Sequence, residues 1–151
     1  MTIILENYTL PEKGPVEIKV NVSFEIKVTA EEARRKVNRW LIDQVSILMG
    51  GLQPTLIWTG KQAVWRVPVH LTFPHTGSVG TVGEVDVEVE RGELQNLEAR
   101  KAEIERCARE RAARVPPYKP HDHVPPEYLA QNVPPAQKIV EEETQPVSAE
   151  E

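Results

Sequence analysis

A chain of 151 residues is the size of one ordinary domain, and its single cysteine, Cys107, excludes an intrachain disulfide and any cysteine-based metal site. After Val115 only Lys119 and Lys138 oppose Asp122, Glu127, Glu141, Glu142, Glu143, Glu150 and Glu151, so the net charge of −5 belongs to the tail, and the near-neutral remainder argues against a nucleic-acid surface. No run approaches about 18 apolar residues and the start MTIILENYTLPEK has no basic region, so neither a membrane span nor a signal peptide is expected, and the expected compartment is the cytoplasm.

Residues 1–15 hold a short apolar patch, Ile3 to Leu5, followed by Pro11, Gly14 and Pro15, and read as a flexible N-terminal segment or a brief edge strand. In residues 16–28, Val16, Ile18, Val20, Val22, Phe24, Ile26 and Val28 alternate without error with Glu17, Lys19, Asn21, Ser23, Glu25 and Lys27. Successive strand side chains point to opposite faces, so this pattern predicts a half-buried antiparallel strand with something apolar laid across it. Thr29 and Glu32 then have capping-box spacing. They open a helix whose apolar stripe is Ala33, Val37, Trp40, Leu41, Val45 and Leu48, and Gly50-Gly51 are expected to end it. Phe24 and Trp40, central in their stripes, are expected to meet. The strand spans roughly 43 Å and the helix roughly 30 Å, so the Val16–Ile18 end lacks a lid, which predicts a homodimer covering it.

Residues 55–58 and 63–73 form a hairpin around Thr59-Gly60-Lys61-Gln62. Pro68 in its second arm donates no backbone hydrogen bond, which predicts a sheet edge or a bulge there. Pro74 to Gly83 reads as a loop, Val85, Val87 and Val89 as a last strand, and Arg91-Gly92 as its closing turn. Asn96 is the expected cap of a second helix reaching about Arg114, with a thin apolar stripe of Leu97, Ile104 and Ala108 that leaves it mostly solvated. The prolines at 116–117, 125–126 and 134–135 make the remainder a disordered or polyproline-like tail. The expected organisation is therefore a flexible segment 1–15, one domain over 16–115 and a Pro/Glu-rich tail over 116–151. The expected fold class is α+β: an antiparallel sheet of about four strands, one main helix on its apolar face, and a second, more exposed helix.

Gly77, Gly80 and Gly83 are spaced like parts of a phosphate loop, but a strand follows them where that motif needs a helix N-terminus, so a hairpin loop is expected. Glu84, Asp86, Glu88 and Glu90 share one face of one strand. A straight strand does not converge carboxylates on a cation, so they read as a solvated face paired with Lys19, Lys27 or Arg66, or as a surface for a basic partner. His121 and His123 flank Asp122 but fall short of a zinc ligand set. His70 and His75 have no serine or cysteine at a catalytic spacing, and Cys107 sits among Arg106, Arg109 and Arg111 on a helix, where a thiol is ordinarily inert. No catalytic residue, cofactor or metal is expected. Trp58 and Trp65, on adjacent hairpin arms, are either core or interface anchors. The partner-binding candidates are thus Trp58, Trp65, Arg66, His70, Glu84, Asp86, Glu88 and Glu90.

The order TAEEA helix, hairpin arm AVWRVPVHL and closing string VGEVDVEVERGEL over residues 29–94 resembles the PepSY class of small domains, with Val85, Val87, Arg91-Gly92-Glu93 and Leu94 matching its ending. That resemblance implies an inhibitory or regulatory protein-binding role, often in exported proteins. The expected function is a non-catalytic module that recognises another protein through its sheet edge and tail, with a toxin-neutralising antitoxin as one concrete form. The alternatives are a metal-assisted enzyme built on the acidic strand with His70 or His75, and a structural dimeric scaffold. Convergence of those carboxylates and histidines separates the enzyme from the rest.

Overall fold

In a computed structural model, which describes residues 1–119, the chain forms β1 (Ile3–Leu5), α1 (Ala30–Gln44), β2 (Met49–Gly51), β3 (Thr55–Trp58), β4 (Ala63–Phe73), β5 (Gly77–Glu88) and α2 (Leu97–Ala112). The expected tail from residue 120 on, with His121 and His123, lies outside the described residues. Strand β4 is the hub. The four-residue turn Thr59–Gln62, closed by Thr59 N–H donating to the Gln62 carbonyl at 3.0 Å, returns β3 antiparallel against Ala63–Arg66 of β4. Further along the same side, β2 pairs Met49 with Leu71 and Gly51 with Val69. Strand β5 takes the other side over nearly the full length of β4, and β1 adds to β3 in parallel. The class is α+β as expected. The sheet has five strands rather than about four, and it is mixed rather than purely antiparallel, because β1 runs parallel to β3.

Alternation along β4 sends Trp65, Val67, Val69 and Leu71 to one face, where the register sets Val87 opposite Trp65 and Val85 opposite Val67. Helix α1 lays its fully buried Ala33, Val37 and Leu41 on this face, and α2 contributes Ile104 to the same core. Both halves of the α1 capping box form: Thr29 Oγ1 accepts from Glu32 N–H at 3.2 Å and Glu32 Oε2 accepts from Thr29 N–H at 2.8 Å. Helix α2 buries only Ile104 and is otherwise exposed or half-buried, in line with its thin stripe.

Residues 16–28 correct the first expectation. They form no strand. Only Lys27 and Val28 tie to the body through backbone bonds, both donating to the Val89 carbonyl at 3.0 Å. Val22, Phe24 and Val28 are half-buried, whereas Val16, Ile18, Val20 and Ile26 stand exposed. Both sides of β4 are paired and the outer side of β3 belongs to β1, so the segment finds no place at the centre of the sheet, and it does not add to the open edge of β1 either. An alternating pattern fixes two faces but names no partner. Phe24 accordingly stacks on Trp58, with ring centroids 6.3 Å apart and an interplanar angle of 13°, and not on Trp40, which borders a hollow shared with Leu97.

Three boundaries also differ. Helix α1 stops at Gln44, and Gly50-Gly51 are not its cap but part of β2. There Asn38 Oδ1 accepts from Gly51 N–H, and a Cβ on Gly51 would lie 2.8 Å from Val67 Cγ1, so the glycine permits close approach of strand to core. The expected loop 74–83 is largely ladder: β5 begins at Gly77, whose positive φ falls at the turn opposite Phe73, and the positive φ of Gly80, opposite Leu71, falls between the two register shifts. Asn96 precedes α2 in a left-handed conformation, φ 52°, and its side chain makes no cap bond.

Pro68 is not at an edge. Its carbonyl accepts from Leu52 N–H at 2.8 Å, so its absent amide falls on the same side, between the stretches of β4 paired to β3 and to β2. A register irregularity does follow immediately, between Val69 and His70.

Thr29→Ala removes one half of the capping box and is expected to cost about 1 kcal/mol in denaturant unfolding. Gly51→Ala forces a methyl against Val67 and should cost about 1 to 3 kcal/mol. Equal midpoints for Gly51→Ala and the parent would show that β2 does not press on the core.

Candidate interaction site

On the face of the sheet turned away from α1, register places Arg66 directly across from Asp86. The Arg66 guanidinium donates to both oxygens of Asp86, at 2.8 Å and 3.0 Å, and to both oxygens of Glu6, at 2.7 Å and 3.0 Å. Glu84 lies 3.5 Å from Arg66 Nε, and Arg100 from α2 reaches Glu84 at 3.7 Å and Asp86 at 3.9 Å. One planar fork therefore clamps the end of β1, β4 and β5 together, which a lysine could not do bidentately. The hydrogen bonds that Arg66 donates to Asp86 and then to Glu6 push its pKa up against the opposing effect of burial, so the guanidinium is permanently charged. The hydrogen bonds from Arg66 hold the Glu6 carboxyl below its ordinary value, with burial opposing and the charges of Arg66 and Arg100 assisting.

The four acids of the expected charged face part company here. Glu84 and Asp86 belong to this cluster, Glu88 borders a small hollow with Lys61 and Gln62, and Glu90 Oε1 accepts from Glu25 N–H at 3.2 Å. Of their three expected cationic partners only Arg66 is used, since Lys19 pairs with Glu17 at 3.3 Å and Lys27 with Glu25 at 3.5 Å. His70 packs against Gly50, and its buried Nδ1 has no partner among the described residues. His75 lies between the rings of Phe73, at 5.8 Å, and Tyr118, at 5.7 Å. Among the described residues no three His, Cys, Asp or Glu side chains are placed to share a metal ion. The convergence that a metal-assisted reaction needs is thus not found within residues 1–119.

The two tryptophans divide as well. Trp65 is 3% exposed and its indole N–H donates to the Val28 carbonyl at 2.7 Å, so it is core and fixes the chain just before α1. Trp58 is half-buried, stacked on Phe24, and borders an apolar hollow of about 300 Å³ whose other walls are Met1, Ile3, Leu5, Val20, Val22 and Leu56. Leu10, Val16 and Ile18, which border a second hollow, are 44–56% exposed, and so is Ile4, which alternation places on the opposite face of β1 from Ile3 and Leu5. Sequence reasoning chose Trp58 and the uncovered Val16–Ile18 end but not the part contributed by β1, although the apolar triplet Ile3 to Leu5 was its signal. It also missed Glu6 and Arg100, which come to Arg66 from 60 residues before it in one case and from the second helix in the other. A larger hollow, about 700 Å³, runs between α1 and the Gly92–Leu97 segment, and its rim mixes Arg35, Lys36 and Arg39 with Glu32 and Asp43.

Comparison of the chain with protein-family models, with characterised proteins and with solved structures gives no match.

Arg66→Met strands the nearly buried Asp86 carboxylate with only the longer Arg100 contact, and an unfolding cost of about 2 to 4 kcal/mol is expected. A loss below about 1 kcal/mol would mean the cluster behaves as a solvated surface pair. Because the Glu6 pKa is lowered on folding, its stabilising effect is complete above the ordinary glutamate range and fades as pH falls through the lowered value. The stability gap between the parent and Glu6→Gln should therefore shrink from pH 7 to pH 3. A gap independent of pH would rule the pairing out.

Proposed function

We propose that this chain is a non-catalytic protein-binding module and that its recognition surface is the open N-terminal lobe formed by β1, residues 16–26 and Trp58. The observation that carries this reading is the set of exposed apolar side chains in that lobe: Ile3, Leu5 and Val20 line one hollow with Trp58, Leu10, Val16 and Ile18 line a second, and all six are at least 38% exposed. Contiguous apolar surface of this kind marks sites where a soluble protein meets something else. Strand β1 adds a second attraction, since it ends the sheet and no strand among the described residues pairs with its outer side. An extended segment of a partner can continue such an edge through main-chain hydrogen bonds while its apolar side chains settle beside Trp58.

This reading narrows the sequence-based candidates. Trp58 stays, Trp65 is committed to the core, and Arg66, Glu84 and Asp86 hold the lobe to the sheet through Glu6 rather than meeting a partner themselves. The inhibitory or regulatory role implied by the PepSY-like resemblance, of which toxin neutralisation is one form, belongs to the same proposal. Among the described residues no helix is long and apolar enough to cross a membrane, and we take the binding event to be cytoplasmic.

Replacing Ile4 with a photo-crosslinking residue in cells that make the protein tests the assignment. The expected result is a defined protein adduct at Ile4 that is competed away by excess parent protein. Ile47, which is 80% exposed outside this lobe, is the control. Identical adduct patterns at Ile4 and Ile47 would count decisively against the lobe as a binding surface.

A further inference from the structure

Residues 16–28 are built as a strand but are used as one along almost none of their length. The in-chain ion pairs Glu17–Lys19 and Glu25–Lys27 join residues two apart, the spacing at which an extended chain returns to the same face. Among the described residues, no backbone hydrogen bond joins residues 16–24 to another main-chain group; the first ties are at Lys27 and Val28. The C-terminal half of this segment is anchored, with Phe24 on Trp58 and the Val28 carbonyl accepting from the Trp65 indole N–H, although Ile26 there is 40% exposed, while Val16 and Ile18 of the other half are 50% and 44% exposed.

The sequence itself says what fits beside such a segment. Read antiparallel against a second copy with Val22 opposite Val22, the polar face sets Glu17 against Lys27, Lys19 against Glu25 and Asn21 against Ser23. Every charge meets its opposite. The apolar face sets Val16 against Val28, Ile18 against Ile26 and Val20 against Phe24. Residues directly opposite in an antiparallel pair have their Cβ atoms about 4.5 to 5.5 Å apart, close enough for each of these pairs to interact. The neighbouring registers that preserve the two faces do not share this property: a slip of the pairing one way sets Glu17 against Glu25, and the other way sets Lys19 against Lys27. A slip that breaks the alternation sets apolar residues against polar ones. One register is selected and its alternatives are penalised.

We propose that two copies of this chain pair residues 16–28 antiparallel about a two-fold axis at Val22. The proposal rests on the reading of the N-terminal lobe as a protein-binding surface and names a second copy as the occupant of this part of it. The symmetry also explains the uneven exposure. The uncovered half of each segment, Val16 to Val20, lies beside the anchored half of the other, Phe24 to Val28, and so beside the body that holds it. The interface is isologous and closes on itself, which leaves a dimer and not a fibre.

The test is sedimentation equilibrium of the full chain with exchanged charges. Lys19 and Glu25 are solvent-facing, so Lys19→Glu and Glu25→Lys leave the fold intact, as far-ultraviolet circular dichroism will show. The parent is expected at twice 17.0 kDa at micromolar concentration. Two-fold symmetry makes each single exchange create two like-charge pairs per dimer, so each should weaken association by about tenfold. The double variant restores both pairs and should dimerise within about threefold of the parent. An equimolar mixture of the two single variants should form a mixed dimer more tightly than either forms its own. In-chain pairing predicts the opposite for the double variant, because the two exchanges put like charge beside both Glu17 and Lys27. A mass of 17.0 kDa for the parent at every concentration overturns the proposal, as does a double variant that dissociates like the single ones. A monomeric parent that keeps the specific Ile4 adduct defeats the two-fold pairing alone; an intact dimer without that adduct defeats the wider reading of the lobe.

Discussion

Saturation of β4 is the constraint on which the rest of the structure depends. β2, β3 and β5 each hydrogen-bond to this one strand, and β1 reaches the sheet only through β3. The alternation of β4 then decides both faces at once. Trp65, Val67, Val69 and Leu71 form the floor on which α1 and Ile104 of α2 settle, while Arg66 on the other face gathers Glu6, Glu84, Asp86 and, through the acids, Arg100. Core and ion-pair cluster are therefore two sides of one run of residues. A single register error in β4 would exchange them.

The parts of this fold that could be read from the sequence are those fixed by neighbours along the chain. Thr29 and Glu32 cap α1 as their spacing requires, Thr59–Gln62 turns the hairpin, and Gly92 turns with φ +72° after Val89. What could not be read depends on which element claims a surface first. The flawless alternation of residues 16–28 predicted a strand, yet the segment joins no ladder, because alternation fixes two faces and names no partner. Gly50-Gly51 look like a helix stop, yet the tight approach to Val67 is what requires the second of them. The glycines of residues 77–83 look like a loop, yet they allow a long hairpin to change register without breaking.

The site shows the same division. Composition pointed to a charged strand face, and local reasoning could pair Arg66 with its acids across adjacent strands. Glu6 joins them from the far end of the sequence, through a parallel pairing that no periodicity announces. Once it does, Glu84 and Asp86 become internal bracing around Arg66, while exposed apolar side chains gather in the N-terminal segment beside Trp58. Burial thus reassigned residues whose chemistry had been identified correctly, separating the ones that hold the lobe from the ones it presents.

The Trp65–Val28 hydrogen bond and the parallel pairing of β1 with β3 have a consequence for the order in which the chain matures. Residues 1–28 are synthesised before Trp58, Trp65, Arg66 and the Val89 carbonyl, on which they rest. Contacts this distant along the chain form after local ones because a long loop must be closed before they yield anything. The pairing of β4 with β5 is local in sequence; the amphipathic N-terminal segment must wait, with its apolar row bare, until that hairpin has emerged. This segment is made before the strands it rests on and sheltered after them, so its apolar row stays exposed in between.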